Sequence, residues 1–325
     1  MANLGIHLVV LELTDKCNLN CIHCYHPSDK NYLGTTLSQE NTKTVVDELQ
    51  KVKPNFVTIS GGEPLLIGER LFDIAKDVKR YCRKIFLTTN GQLIKKYPAD
   101  LFNIFDDVQI SLDGPSEIHE MIRGANTFKN AVESAKYLKL SGVHVTFLMT
   151  LNSLNKNVLE ETNGIAKRME IPFGSERMTP IGCGEYVNSI SSKEWRDLLK
   201  LIIDNGIACR DPLRFMFKYD LNKLNLSKIS GGCTAGIASL VITSTLDILP
   251  CVRLRIPAGN LKDRSLEEIW INSEILNKFR NRSEFSGKCG ICGYRNICGG
   301  CRADAFALTG DYLGSDPICW HEMDG

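Results

Sequence analysis

Short β-branched runs alternate with amphipathic helical stretches along the chain up to about residue 225. Six runs read as strands: LVVLELT (8–14), FVTIS (56–60), KIFLTT (84–89), DVQISL (107–112), HVTFLMT (144–150) and GSERMTP (174–180). Between them, apolar residues recur at helical spacing. Val45, Val46, Leu49 and Val52 share one side of a helix, and Leu71, Ile74, Ala75 and Val78 share one side of the next. Ser191, with Glu194 three residues on, has the form of a capping box and predicts a helix through Trp195, Leu198, Leu199 and Ile202. Strands alternating with helices build a parallel sheet. A closed eight-unit barrel takes about 250 residues, so six units predict an α/β fold with an open, partial (β/α)6 TIM barrel. In such folds chemistry sits at the C-terminal ends of the strands, which makes the segments leaving them the ones to read for function.

Beyond residue 228 the pattern changes. Glycine and cysteine become dense and, outside SLEEIW and the helix after it, periodic structure is sparse. The expected organisation is a partial barrel over 1–228 and a small, metal-stapled, cysteine-rich domain over 229–325. A length of 325 residues agrees with about two domains.

Charge narrows the partners. With 39 basic against 38 acidic side chains, the chain has no electrostatic footprint for nucleic acid or an anionic membrane. Its most basic stretch, KDVKRYCRK (76–84), fits the outer face of a helix. No apolar run reaches 18 residues and the N-terminus lacks the features of a signal peptide, so a cytoplasmic protein is expected. In a reducing compartment, 13 cysteines point to metal binding or catalysis rather than to a disulfide framework.

Three of these thiols, Cys17, Cys21 and Cys24, follow a C-x3-C-x2-C spacing in the loop leaving the first strand. A closed zinc site needs four protein ligands, with His23 or His26 as the nearest fourth. The same three thiolates on a four-iron cluster would leave one iron open to a small molecule. Three further motifs end the next strands: GGEP (Gly61–Pro64), TTNG (Thr88–Gly91) and SLDG (Ser111–Gly114).

Taken in order, TDKCNLNCIHCY, GGEP, TTNG and SLDG resemble the radical S-adenosylmethionine (SAM) enzymes. That resemblance implies a [4Fe-4S] cluster on Cys17, Cys21 and Cys24 whose open iron chelates the amino and carboxylate groups of SAM. It places His23 near the adenine. It gives the backbone of Gly61, Gly62, Glu63 and Pro64 the SAM amino group, with no room for a side chain on the glycines. Thr89, Asn90, Ser111 and Asp113 match positions lining the ribose and carboxylate, and Arg177 on the sixth strand is a further candidate. An electron from the cluster, supplied by a donor such as flavodoxin or ferredoxin, would split SAM into methionine and a 5′-deoxyadenosyl radical. That radical would take a hydrogen atom from the substrate.

The later cysteines, Cys233, Cys251, the run CGICGYRNICGGC (Cys289, Cys292, Cys298, Cys301) and Cys319, exceed the need of one zinc. Two zinc ribbons would use them. Their order is similar to the SPASM extension of the same family, which implies two auxiliary [4Fe-4S] clusters and three in all. Cys233, Cys251 and Cys301 would hold the first, and Cys289, Cys292, Cys298 and Cys319 the second. The chain departs from that pattern in three ways. Cys298 and Cys301 are separated by two residues where three are usual, Leu246 stands where a glycine is usual, and NLSKISGG offers no extra upstream cysteine.

The resemblance implies oxidation or crosslinking of a peptide. CGGCRADAFALTGDYLGSDPIC resembles the branch holding haem-pathway decarboxylases and the mycofactocin peptide maturase, so a tetrapyrrole, or a sugar, is the alternative substrate. Only 16 residues precede Cys17, so a peptide is expected to bind directly or through a partner. Sulfatase maturation is disfavoured because Val252, not aspartate, follows Cys251. A non-catalytic iron–sulfur electron carrier would leave GGEP, TTNG and SLDG without a task. Of the other thiols, Cys82 is expected in the core stripe of Ile74 and Val78, and Cys209 carries no signal. Cys183, just past the sixth strand, is either a buried thiol or a hydrogen-atom donor.

Overall fold

The computed structural model describes residues 5–26, 34–218 and 231–321. The six expected strands are present as β1 (Leu8–Glu12), β2 (Phe56–Ser60), β3 (Lys84–Thr89), β4 (Asp107–Ser111), β5 (Val145–Leu151) and β6 (Phe173–Arg177). They pair in sequence order, all parallel. The first and last end earlier than expected, because Leu13–Lys16 and Met178–Pro180 leave the ladder at the same end of the sheet.

Six helices make the crossovers and returns: α1 (Gln39–Val52), α2 (Arg70–Lys79), α3 (Ser116–Arg123), α4 (Thr127–Leu140), α5 (Leu159–Arg168) and α6 (Ser192–Asp204). Ser38 caps α1 by accepting from the Asn41 N–H, and the Ser191–Glu194 box at α6 has both of its reciprocal bonds. Alternate strand residues, such as Val145, Phe147, Met149 and Leu151 of β5, are buried in one core with Val45, Leu49, Leu71, Ile74 and Leu199 of the helices. Each such side chain contributes about 1.5 to 3 kcal/mol of burial. The intervening positions on β5 stay partly exposed. This leaves the other face of the sheet accessible.

The remaining strands extend the sheet at both ends. Ala208–Cys209 (β7) pairs with β6, which gives Cys209 a buried place the sequence did not signal. At the far side, Ser239–Ile242 (β8) lies parallel to β1, followed antiparallel by Asp247–Leu249 (β9) and Gly259–Asn260 (β10). The order is β10-β9-β8-β1-β2-β3-β4-β5-β6-β7, and the two edge strands lie at opposite ends, so the barrel is open. Sparse periodic structure after residue 228 is thus corrected: the cysteine-rich segment donates three strands to the barrel sheet. The expected boundary at 228/229 lies outside the described residues.

Leu246 in the β8–β9 turn explains one departure from the resemblance. It adopts φ 70°, the left-handed region a glycine would occupy freely, while its side chain is fully buried. Packing offsets the backbone strain.

Four short helices complete the chain beside α7 (Phe215–Lys218): α8 (Leu266–Asn272), α9 (Glu274–Arg280), α10 (Gly287–Ile291) and α11 (Arg302–Thr309). Glu48 of α1 accepts from the Leu266 N–H at 2.8 Å, tying α8 to the barrel. Cys82 stands beyond the end of α2 rather than on its stripe, yet it still packs half-buried against the main core. Among the described residues no helix is long and apolar enough to cross a membrane.

Candidate active site

The loop after β1 is laid along the exit of β2 by backbone bonds. Gly62 N–H donates to the Thr14 carbonyl at 2.6 Å and Glu63 N–H to the Lys16 carbonyl at 2.8 Å. Gly61 sits at φ 140°, and a Cβ on Gly61 or Gly62 would collide with the Thr14 or Lys16 carbonyl oxygen. The bare faces of these glycines admit the neighbouring loop. Gly62→Ala is expected to cost about 1 to 3 kcal/mol through overpacking and to weaken SAM binding by displacing the thiol loop. Thermal unfolding and a SAM titration check it; unchanged values in both would discard the argument.

Within that loop Cys21 is buried, Cys24 half-buried and Cys17 exposed, and Cys24 N–H closes a turn onto the Cys21 carbonyl at 3.1 Å. Burial pushes all three thiols up, Cys24 to about 12. Thiolates here need a cation to displace the protons. The turn after β6 closes over the loop. Gly184 N–H donates to the Cys24 carbonyl at 3.2 Å, and Cys183 Sγ lies 3.6 Å from the His26 carbonyl, which places Cys183 beside the thiol loop.

Glu63 is fully buried, starting the Pro64 turn. Its carboxylate accepts from Leu65 N–H, Thr89 Oγ1 (2.8 Å) and Asn90 N–H (2.8 Å). Asn90 Nδ2 in turn reaches Asn18 Oδ1 at 2.9 Å and Cys17 Sγ at 3.8 Å. Glu63 and Thr89 thus position Asn90 against the thiol loop. Ser111 ends β4 half-buried.

The Asp113 side chain is fully buried and accepts from Arg123 Nε and from Thr150 N–H at 2.8 Å. Its N–H donates to His119 Nδ1 at 3.1 Å. Arg123 places Nη1 3.8 Å from Cys21 Sγ and was not anticipated, although His119 and Arg123, one helical turn apart just after SLDG, share a face of α3. His23 Nε2 lies 3.7 Å from Asp113 Oδ2 while its Nδ1 is buried with no hydrogen-bond partner. Burial outweighs Asp113 and pushes the His23 imidazole down to about 4, so it is neutral at pH 7.

Arg177 is buried among carboxylates of three segments: Nη2 to Asp316 at 2.9 Å, and Nε within ion-pair range of Asp304 (3.0 Å) and Asp211 (3.2 Å) without the alignment of a hydrogen bond. This arginine joins β6 to the cysteine-rich segment. Arg255 does the same at β1, holding both oxygens of buried Glu12 at 2.8 and 2.9 Å.

The later thiols fall in two places. Cys233, Cys251 and Cys301 pack in one small core with Leu254, Phe279 and Ala303, whereas Cys298 and Cys319 belong to the main core. Cys289 and Cys292 lie near enough to Cys319 to push its thiol up further, after burial, to about 11. Gly232 allows the Cys233 segment to lie on the Cys298 backbone, where a Cβ would strike the Cys298 carbonyl. Among the described residues no three Cys, His, Asp or Glu side chains converge on a single ion. A concavity lined by Lys51, Lys53, Arg80 and Arg83 lies at the other end of the strands. Three of its cations, Lys51, Lys53 and Arg80, sit where the C-termini of α1 and α2 favour positive charge.

Residues 11–163 match the model of the radical SAM superfamily, and residues 233–301 match that of the SPASM iron–sulfur cluster-binding domain. The chain belongs to the radical SAM superfamily. It is a radical SAM enzyme with a C-terminal SPASM domain. The chain is 27% identical to the AdoMet-dependent heme synthase of Methanosarcina barkeri, over 96% of this chain and 95% of that one. It is 29% identical to the mycofactocin maturase MftC of Mycobacterium tuberculosis, over 95% of this chain and 81% of that one. The fold matches Streptococcus suis SuiB bound to precursor peptide SuiA with a TM-score of 0.80 at 19% identity, over 97% of this chain and 76% of SuiB.

Proposed function

We propose that this radical SAM enzyme oxidises or crosslinks residues of a peptide. Cys17, Cys21 and Cys24 would hold the SAM-binding [4Fe-4S] cluster. Cys233, Cys251 and Cys301 would hold one auxiliary cluster, and Cys289, Cys292, Cys298 and Cys319 the other. The donor set is soft, and the orphaned His23 Nδ1 between Cys21 and Cys24 leaves a buried polar atom for a ligand to satisfy. When bound, the first cluster supplies the electron, received from a flavodoxin- or ferredoxin-type donor, that splits SAM into methionine and a 5′-deoxyadenosyl radical.

This chain's residues do the rest. Glu63 fixes Asn90 at the loop, Arg123 faces Cys21, and the turn at Cys183 covers Cys24. Neutral His23 offers a hydrogen-bonding nitrogen without a competing proton load.

The observation that carries the substrate class is the rim. Tyr186 (85% exposed), Met121 (48%) and Ile22 (39%) stand on the turn, the helix and the loop that surround the thiols. Adaptable apolar side chains suit a peptide better than a sugar. Similarity to MftC supports the same reading. The similarity to heme synthase across nearly the whole of both chains favours a second, a tetrapyrrole.

The test is anaerobic incubation with SAM, reductant and substrate deuterated at candidate carbons. Formation of 5′-deoxyadenosine carrying deuterium from a peptide supports the proposal. Deuterium arriving only from a tetrapyrrole side chain replaces it with the second reading. No 5′-deoxyadenosine under any reductant defeats both.

A further inference from the structure

Arg123, Arg177, Arg282 and Arg302 lie against the thiols or the joint between the two parts of the chain, and their counter-charges differ. Arg123 has Asp113, and Arg177 has three aspartates. Arg302, the first residue of α11, is 2% exposed and among the largest fully buried side chains. Its Nη1 donates to the Tyr312 and Gly314 carbonyls, its Nη2 reaches Cys289 Sγ at 3.4 Å, and its guanidinium lies 4.6 Å from the Phe285 ring centre. Arg282 donates to the Gly231, Cys233 and Arg295 carbonyls. Among the described residues no carboxylate stands within ion-pair distance of Arg302 or Arg282.

An uncompensated buried guanidinium is costly, by several kcal/mol. Carbonyl dipoles and an aromatic face reduce that cost without neutralising the charge. The acceptor left facing Arg302 Nη2 is a cysteine sulfur, which an iron cluster would hold as a thiolate.

We propose that Arg302 is the counter-charge of the cluster on Cys289, Cys292, Cys298 and Cys319, and that it raises that cluster's reduction potential. The inference rests on the proposed ligation of that quartet. Positive charge and a hydrogen bond at a ligating sulfur both favour the reduced, more negative cluster. Arg123 supplies the hydrogen bond at Cys21, but Asp113 cancels its charge. Arg302 supplies both.

The experiment uses the full chain, reconstituted anaerobically, with Cys17, Cys21 and Cys24 replaced by alanine so that only C-terminal clusters report. Iron and sulfide content and an EPR-monitored redox titration are measured for that parent and for Arg302→Met, Arg302→Gln and Arg302→Lys. R302M is expected to keep its iron and to shift the reduction equilibrium of one cluster at least tenfold toward the oxidised form. That is a fall of about 59 mV for one electron. R302K, which keeps the charge, is expected to recover most of the shift. Should R302M not fold, R302Q carries the same expectation, since it too lacks the charge. Full iron with an unmoved potential in R302M or R302Q overturns the inference, as does an R302K shift as large as theirs. Iron content unaffected by replacing Cys289 and Cys292 in the parent instead defeats the ligation itself.

Discussion

Replacing Cys21 by alanine leaves a folded protein that forms no 5′-deoxyadenosine above background. The side chain is small and buried, so its loss should cost only on the order of 1 kcal/mol, whereas the chemistry has no substitute ligand. Of the three thiols of the β1 loop, Cys21 is the one buried beside Arg123, and Cys24 N–H bonds to its carbonyl. Without the sulfur, Arg123 faces only Asp113, and the trio drops below the number that can retain a cube with one open iron. Two other cysteines serve as controls. Cys82→Ala, half-buried near the N-terminal ends of the strands, should leave turnover within about twofold of the parent, as a substitution remote from the site would. Cys183→Ala should still cleave SAM, and a change in the product alone would assign Cys183 a role after hydrogen abstraction. Chromatography of the nucleoside products under anaerobic reduction reads all three. Turnover by Cys21→Ala at more than a few per cent of the parent would refute the proposed ligation.

The barrel was legible because its signals are local. β2 and β3 were readable from apolar runs, and the Ser191–Glu194 box marked the start of α6 from two residues three apart. β8 was not, because SLVI is four residues set in a glycine- and cysteine-rich stretch, and nothing local says that it pairs with β1 more than 200 residues away. The same limit governs the site. Motif order identified the loops, but Glu63, Asp113 and Arg177 all turned out to be engaged by protein partners. Those partners, such as Asp316 for Arg177 at a separation of 139 residues, cannot be inferred from spacing. Leu246 is the converse case: a local rule is broken at φ 70° because a distant core accepts the side chain.

Arg177→Met should destabilise the chain by about 3 to 5 kcal/mol at pH 7 to 8, the range for breaking a buried ion pair and stranding its partners. Methionine fills much of the same volume, so the loss is one of charge. Three carboxylates, Asp211, Asp304 and Asp316, would remain buried around it. In the parent, burial pushes the Asp316 carboxyl up, but Arg177 and the Cys301 N–H hold it below the usual carboxylate range. Its contribution is therefore present above the unfolded pKa of about 3.9 and lost as pH falls through the folded value. Asp211 goes the other way, because burial outweighs Arg177 and raises it. Removing Arg177 leaves burial opposed only by hydrogen bonds such as those from the Cys301 N–H to Asp316 and the Leu213 N–H to Asp211, so these two carboxyls move upward. A group raised in the folded state stabilises fully only below its unfolded pKa and loses that contribution as pH increases through the folded one. The deficit of Arg177→Met against the parent should accordingly shrink as pH is lowered from 8 toward 5.5. Paired urea titrations at the two pH values measure it, with surface Arg196→Met expected to stay within about 0.5 kcal/mol of the parent at both. A deficit that is small, or that stays constant with pH, would mean that Arg177 is not what neutralises the carboxylates joining β6 to the cysteine-rich segment.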